Sequence, residues 1–137
     1  KKQNAGSIQL TFFDIFSDKT KQFGFKAVFP SGKVLACLGD EPFNEKCRNF
    51  VQNCDYLMCE AFCLYSQKDI FKPYEKFHST ALDAGKLAES LFAKNLILYH
   101  TEDETLQTRK RTYTSEARTV FNGNIFVPDD FEVIDLK

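Results

Sequence analysis

The sequence predicts an α/β layer, and three observations carry that reading. An early segment alternates with period two, later apolar runs are separated by segments of helical period, and polar residues stand where those runs end. Residues 7 to 38 read as β structure: Ile8 to Phe13 alternate, Phe23, Phe25, Ala27 and Phe29 face one way, and Val34 to Leu38 is a short apolar run. Pro30-Ser31-Gly32 supplies a hairpin turn. From Pro42 to Val51 the pattern turns helical, with Phe43, Cys47, Phe50 and Val51 on one face and Pro42 suited to the first turn. A strand follows at Tyr56 to Cys59.

Leu64 to Phe77 has no clean period and contains Lys72-Pro73, which marks an irregular connection. Thr80-x-x-Asp83 then opens a helix in the manner of a capping box, and Ala84, Leu87, Ala88 and Leu91 recur at helical spacing. Asn95 to Tyr99 is a buried strand ending at His100. A last helix is expected from about Glu102 to Phe121, with Leu106, Tyr113, Ala117 and Val120 on one face and Asn122-Gly123 stopping it. Two short strands, Ile125 to Val127 and Phe131 to Ile134, are expected around the turn Pro128-Asp129-Asp130.

A chain of 137 residues builds one domain around one core. Net charge is -1 with 27% charged residues, which excludes a bulk electrostatic drive toward nucleic acid or anionic membrane and leaves any polyanion to a local patch. Hydrophobic content of 43% excludes a disordered chain. Cys37, Cys47, Cys54, Cys59 and Cys63 are odd in number and mostly set in apolar stretches, so they read as buried thiols of a reducing compartment. Cys54-x4-Cys59-x3-Cys63 leaves a structural zinc site as the alternative, although no CxxC pair is present. No signal peptide or membrane-length apolar run is visible, so the expectation is a cytoplasmic protein without membrane contact.

Strand ends of one α/β layer converge on one edge of the sheet, and Asp40, Glu60 and His100 each follow an apolar run. His78, just before a helix start, is placed to join them. A carboxylate at Asp40 suits a bridge between two cations, with capping of the helix near Pro42 as the alternative. His100 suits a zinc ligand, supported by Thr101 or the pair Glu102-Asp103. The basic groups Arg109-Lys110-Arg111, and Lys72 with Lys76, read first as solvated faces paired with Glu102, Asp103 and Glu104, and second as phosphate contacts. Phe71, Tyr74 and Phe77 either fill core or stack bases.

In order and spacing, Leu38-Gly39-Asp40-Glu41, Cys59-Glu60-Ala61-Phe62, Phe77-His78-Ser79-Thr80 and Leu98-Tyr99-His100-Thr101-Glu102-Asp103 resemble the C-terminal half of metallo-β-lactamase-superfamily hydrolases, the ribonuclease Z branch above all. The resemblance runs over roughly residues 7 to 137 and implies half of an αββα sandwich, with residues 1 to 137 forming that single half-domain. It implies metal ligation by Asp40 and His100. Glu60, in a motif similar to His-Glu-Ala-Thr, would orient His78, in a motif similar to His-Ser-Thr, and His78 would donate a proton to the leaving oxygen of a phosphodiester.

The departures are as specific. No HxHxDH motif occurs in these residues, Phe16 stands where a further ligand His is expected, Cys59 replaces a His and Phe62 a Thr. The resulting expectation is a metal-dependent hydrolase acting on a phosphodiester or RNA, of the kind that processes tRNA 3′ ends, incomplete without an HxHxDH-bearing N-terminal half. Its cofactor would be zinc, or alternatively manganese, dinuclear in the complete protein and weakly held or absent in this chain. Either the missing half or a second copy is expected to cover the Phe-rich strands, Phe12, Phe13, Phe23, Phe25 and Phe29. The alternatives are a degenerate, non-catalytic module for assembly or regulation, and a hydrolase of small esters on the same fold.

Overall fold

The computed structural model describes residues 1–137 as one seven-stranded sheet in the linear order β1 to β7, flanked by helices on one face. Strands β1 (Lys2–Ala5), β2 (Ile8–Asp14), β3 (Phe23–Val28) and β4 (Val34–Cys37) form an antiparallel meander. From β4 onward the pairing is parallel through β5 (Tyr56–Glu60), β6 (Asn95–Tyr99) and β7 (Asn124–Phe126). Parallel neighbours need crossovers. These are the short α1 (Arg48–Val51), the irregular stretch with α2 (Lys68–Phe71) leading to α3 (Ala81–Ser90), and α4 (Leu106–Arg118).

The face each side chain takes follows the two-residue period of the strands, with β5 and β6 buried on both faces. Leu57, Cys59, Leu96 and Leu98 face α3 and α4, in one cluster with Ala84, Ala88, Leu91, Tyr113 and Ala117. Leu35, Tyr56 and Ile97 face the other way and are covered by Phe25, Phe29, Met58, Phe126 and the tail residues Ile134 and Leu136. Phe13 corrects the grouping of five phenylalanines on one open face. It follows Phe12 by one residue, so its ring points to the helix side, where it is buried and stacks on Phe50 at 4.8 Å. Gly24 makes that stack possible, since a Cβ there would lie 2.6 Å from the Phe13 ring and 2.6 Å from the Cys37 carbonyl.

The capping box forms as expected: Asp83 N–H donates to Thr80 Oγ1 at 3.2 Å and Thr80 N–H donates to Asp83 Oδ2 at 2.9 Å. Three expectations are corrected. The segment 42–51 is a 3₁₀ turn, Glu45–Cys47, capped by Asn44 and followed by one turn of α1, and Phe50 is partly exposed at its rim. The last helix starts only at Leu106, after a turn in which the Glu102 carboxylate accepts from the N–H groups of Glu104 and Thr105, and Leu106 is left half-exposed. Phe131–Ile134 forms no strand: Lys110 holds Asp129 and Glu132 in a turn that sends the tail across the sheet face, with Phe131 and Val133 in solvent. β1, exposed throughout and carrying one apolar residue, Ala5, is not legible in the apolar pattern and pairs as an edge strand with β2.

Candidate functional site

Because β2 is antiparallel to β3 and β3 to β4, β2 runs in the same direction as β4, β5 and β6. The C-terminal ends of all four therefore lie at one edge. Asp40 follows β4 through Gly39, whose φ of +79° suits glycine and whose carbonyl accepts from the Tyr99 hydroxyl. Glu60 ends β5 directly beside Tyr99 of β6. His100 comes next, held at a φ of 55° that few side chains adopt. His78 arrives from outside the sheet: Phe62 N–H donates to the Ser79 carbonyl at 2.9 Å, Ala81 N–H donates to the Cys63 carbonyl at 2.9 Å, and a parallel bridge joins Cys63 to Thr80.

That bridge fixes Glu60. Its Oε1 accepts from the Ser79 N–H at 2.6 Å and the Ser79 hydroxyl at 2.9 Å. Its Oε2 lies 3.3 Å from His78 Nδ1 without hydrogen-bond alignment, and both atoms are buried with no other partner. The His78 ring stacks on Phe62 at 4.9 Å and stands 5.0 Å from the His100 ring. Burial pushes the Glu60 carboxyl up to about 7, against the pull of the two Ser79 donors, while Asp40 adds to the rise. Burial, with His100 and Lys19, holds His78 below its ordinary value, and Asp40 opposes them.

Donor atoms of Glu60, His78 and His100 all lie within 4.8 Å of one another. One carboxylate and two imidazoles, two of them with orphaned buried atoms, fit a divalent cation of the zinc type. Asp40, two residues beyond Leu38 and past the end of β4, lies at the same sheet edge and is not one of the three converging donors. A cleft lined by Leu38, Phe43, Cys59, Ala84 and Leu87 opens on the helix side of Glu60 and His78.

Other expected residues fall elsewhere. Phe16 lies in the loop after β2, partly exposed at a φ of 59°, with Lys46 Nζ 4.8 Å from its ring centre. Cys59 faces the helix-side core, where burial drives its thiol far up, and no cysteine belongs to the donor cluster. The solvated-face reading of the basic group is corrected for Arg109, whose side chain is 11% exposed and donates to Thr101 Oγ1 and Asp129, with Lys110 bound to Asp129 and Glu132. The sequence reading passed over Glu41, a buried carboxylate accepting from Ser17 at 2.7 Å and Gln22 at 3.2 Å, and over Ser79 as the anchor of Glu60. The hydroxyl directly after His78 was the available signal for Ser79.

No family model matches the chain. It is 32% identical over 98 residues to ribonuclease Z of Bacillus cereus, an alignment covering 72% of this chain and 31% of that protein. The chain thus spans about a third of the length of the curated relatives it matches. Among solved structures it superposes on the metallo-β-lactamase-fold protein YhfI from Bacillus subtilis with a TM-score of 0.75 at 20% identity, covering 93% of this chain and 50% of that one. On human tRNase Z, short form, the TM-score is 0.72 at 23% identity, covering 98% and 46%. The chain therefore belongs to the metallo-β-lactamase superfamily as a ribonuclease Z-like member.

Proposed function

We propose that the chain contributes the Asp40, Glu60, His78 and His100 side of the active site of a metal-dependent phosphodiesterase, of the kind its relatives' names, ribonuclease Z and tRNase Z, describe. The observation that carries this reading is the gathering of Glu60, His78 and His100 donor atoms within 4.8 Å at one sheet edge, from three separate parts of the chain. Asp40 and His100 would hold a divalent cation, zinc or manganese. Bound there, such a cation supplies Lewis-acid polarisation of a phosphoryl oxygen. Ser79 fixes Glu60, Phe62 holds the His78 ring from its face, and Glu60, 3.3 Å from Nδ1, would orient the ring on closing that contact to a hydrogen bond. That leaves Nε2 of His78 to carry a proton toward a leaving oxygen.

The HxHxDH ligands that the resemblance calls for are not among these residues. We assign them to a second α/β layer seated on the sheet face that presents Leu10, Phe12, Phe25, Phe29 and Met58, the other half of the same domain.

The test is hydrolysis of bis(p-nitrophenyl) phosphate by the parent polypeptide loaded with zinc or manganese. His78→Ala lowers kcat about 10²–10⁴-fold in protein that retains its metal, whereas Asp40→Ala and His100→Ala lose metal; loss of metal from His78→Ala would instead make His78 a ligand within the Glu60, His78 and His100 cluster. Full turnover in all three variants overturns the reading.

A further inference from the structure

We infer that the cleft on the helix side of Glu60 and His78 is a binding site for a small apolar amine, its ammonium on Glu41 and its apolar body on Leu38, Phe43, Cys59, Ala84 and Leu87. The site needs neither a metal nor a second α/β layer, so it stands or falls apart from the hydrolase reading.

The cleft exists because the connection from β4 to β5 is short. A 3₁₀ turn and the single turn of α1 leave one flank of α3, from Asp83 to Ser90, lining a cavity in place of a helix contact. That flank is about 10 Å long at 1.5 Å per residue. Pro42 and Phe43 line the cleft from the β4–β5 connection, Leu38 and Cys59 from the strands, and Ala84 is too small to close the gap. The cavity measures about 430 Å³, within the range of about 300–1,000 Å³ typical of small-molecule sites. Leu38, Cys59 and Ala84 belong to the helix-side cluster, so a layer seated on the opposite sheet face leaves the cleft open.

Charge decides the class of occupant. Three carboxylates, Glu41, Glu60 and Asp83, line the cleft against one lysine, Lys86, which is exposed. Two of the three are engaged. Asp83 Oδ2 accepts from the Tyr74 hydroxyl and from the N–H and hydroxyl of Thr80, and Glu60 is held by Ser79 beside His78. Glu41 differs: it is 8% exposed, its Oε1 accepts from Ser17 and Gln22, and no hydrogen bond reaches its Oε2. Lys19 approaches the same Oε1, at 3.9 Å. A buried carboxylate with one oxygen unpaired beside an apolar cavity is satisfied best by a cationic donor, through a charge-assisted hydrogen bond. A neutral occupant makes a weaker bond there, and an acid meets three like charges.

NMR titration of the 137-residue chain in EDTA tests this, with tryptamine, its neutral hydroxyl analogue tryptophol, and indole-3-propionate as probes. Tryptamine binds about tenfold more tightly than tryptophol, and indole-3-propionate binds more weakly than either. In the wild-type chain, nuclear Overhauser contacts join the indole protons of bound tryptamine to the Ala84 and Leu87 methyls. Glu41→Gln keeps an acceptor for Ser17 and Gln22 and brings tryptamine down to the affinity of tryptophol, and Leu87→Trp fills the cleft and removes the binding of both. Equal binding of the three probes overturns the proposal, as does undiminished tryptamine affinity in Glu41→Gln. Contacts from the indole to the Phe12 and Phe25 face of the sheet in place of Ala84 and Leu87 overturn it in the wild-type chain, whatever the variants do. Turnover by the metal-loaded parent bears on the hydrolase reading alone.

Discussion

Glu60 Oε2 lies 3.3 Å from His78 Nδ1, and it faces that nitrogen because Ser79 occupies the other carboxylate oxygen with two hydrogen bonds. The second oxygen and the imidazole nitrogen are buried side by side without hydrogen-bond alignment. Burial of the pair makes the charged form of Glu60 costly to the fold.

Glu60→Gln keeps an acceptor for Ser79 and removes the buried charge, so at pH 8 the metal-free chain unfolds at an equal or higher urea midpoint. Glu60→Ala leaves the Ser79 N–H without a partner and the Ser79 hydroxyl with only the Glu60 carbonyl, and costs about 1–3 kcal/mol. Urea denaturation of both variants checks this; equal loss in the two contradicts it.

Asp55 joins two strand starts: it accepts from the Val34 N–H at 2.8 Å and from Lys94 Nζ at 2.8 Å. The Lys94 hydrogen bond, chiefly, holds its carboxyl below the ordinary value of 3.8. A group whose folded value is lowered stabilises the fold above its unfolded value, so this contribution is complete above about pH 5 and vanishes as pH falls through the lowered value. Asp55→Asn costs about 2 kcal/mol at pH 7 and flattens the decline in stability on acidification. Urea midpoints between pH 2 and pH 7 provide the measurement.

Gly24→Ala sets a methyl 2.6 Å from both the Phe13 ring and the Cys37 carbonyl, the latter a backbone atom of the neighbouring strand. Overpacking of that kind costs about 1–3 kcal/mol. Wild-type stability in this variant would show that the β2–β4 meander yields more easily than its packing implies.

Much of the fold was legible because the segments that build it obey one period each. β2 to β6 alternate or run apolar, and Thr80 with Asp83 announces α3 three residues apart. Elements decided by tertiary contact were not legible. β1 is exposed throughout and exists through its pairing with β2, and the tail that reads as a strand at Phe131–Ile134 is turned aside by Lys110. At the site, residue types at strand ends indicated Asp40, Glu60 and His100. The delivery of His78 depends on the Cys63–Thr80 bridge, 17 residues apart in sequence, which no local pattern encodes. Phe16 reads as the substitute for a ligand His and Phe77 as core filling or a base platform, because sequence says nothing of their backbone conformation.

Zinc titration followed by NMR of the imidazole Cε1–H signals tests the central claim most directly, since His78 and His100 are the two histidines of the chain. If Asp40, Glu60, His78 and His100 form one site, both signals move over the same range of zinc concentration. The response is weak and in fast exchange, because few protein ligands meet there, and Asp40→Asn shifts both curves together to higher zinc. Movement of one imidazole without the other, or unchanged curves in Asp40→Asn, contradicts the account.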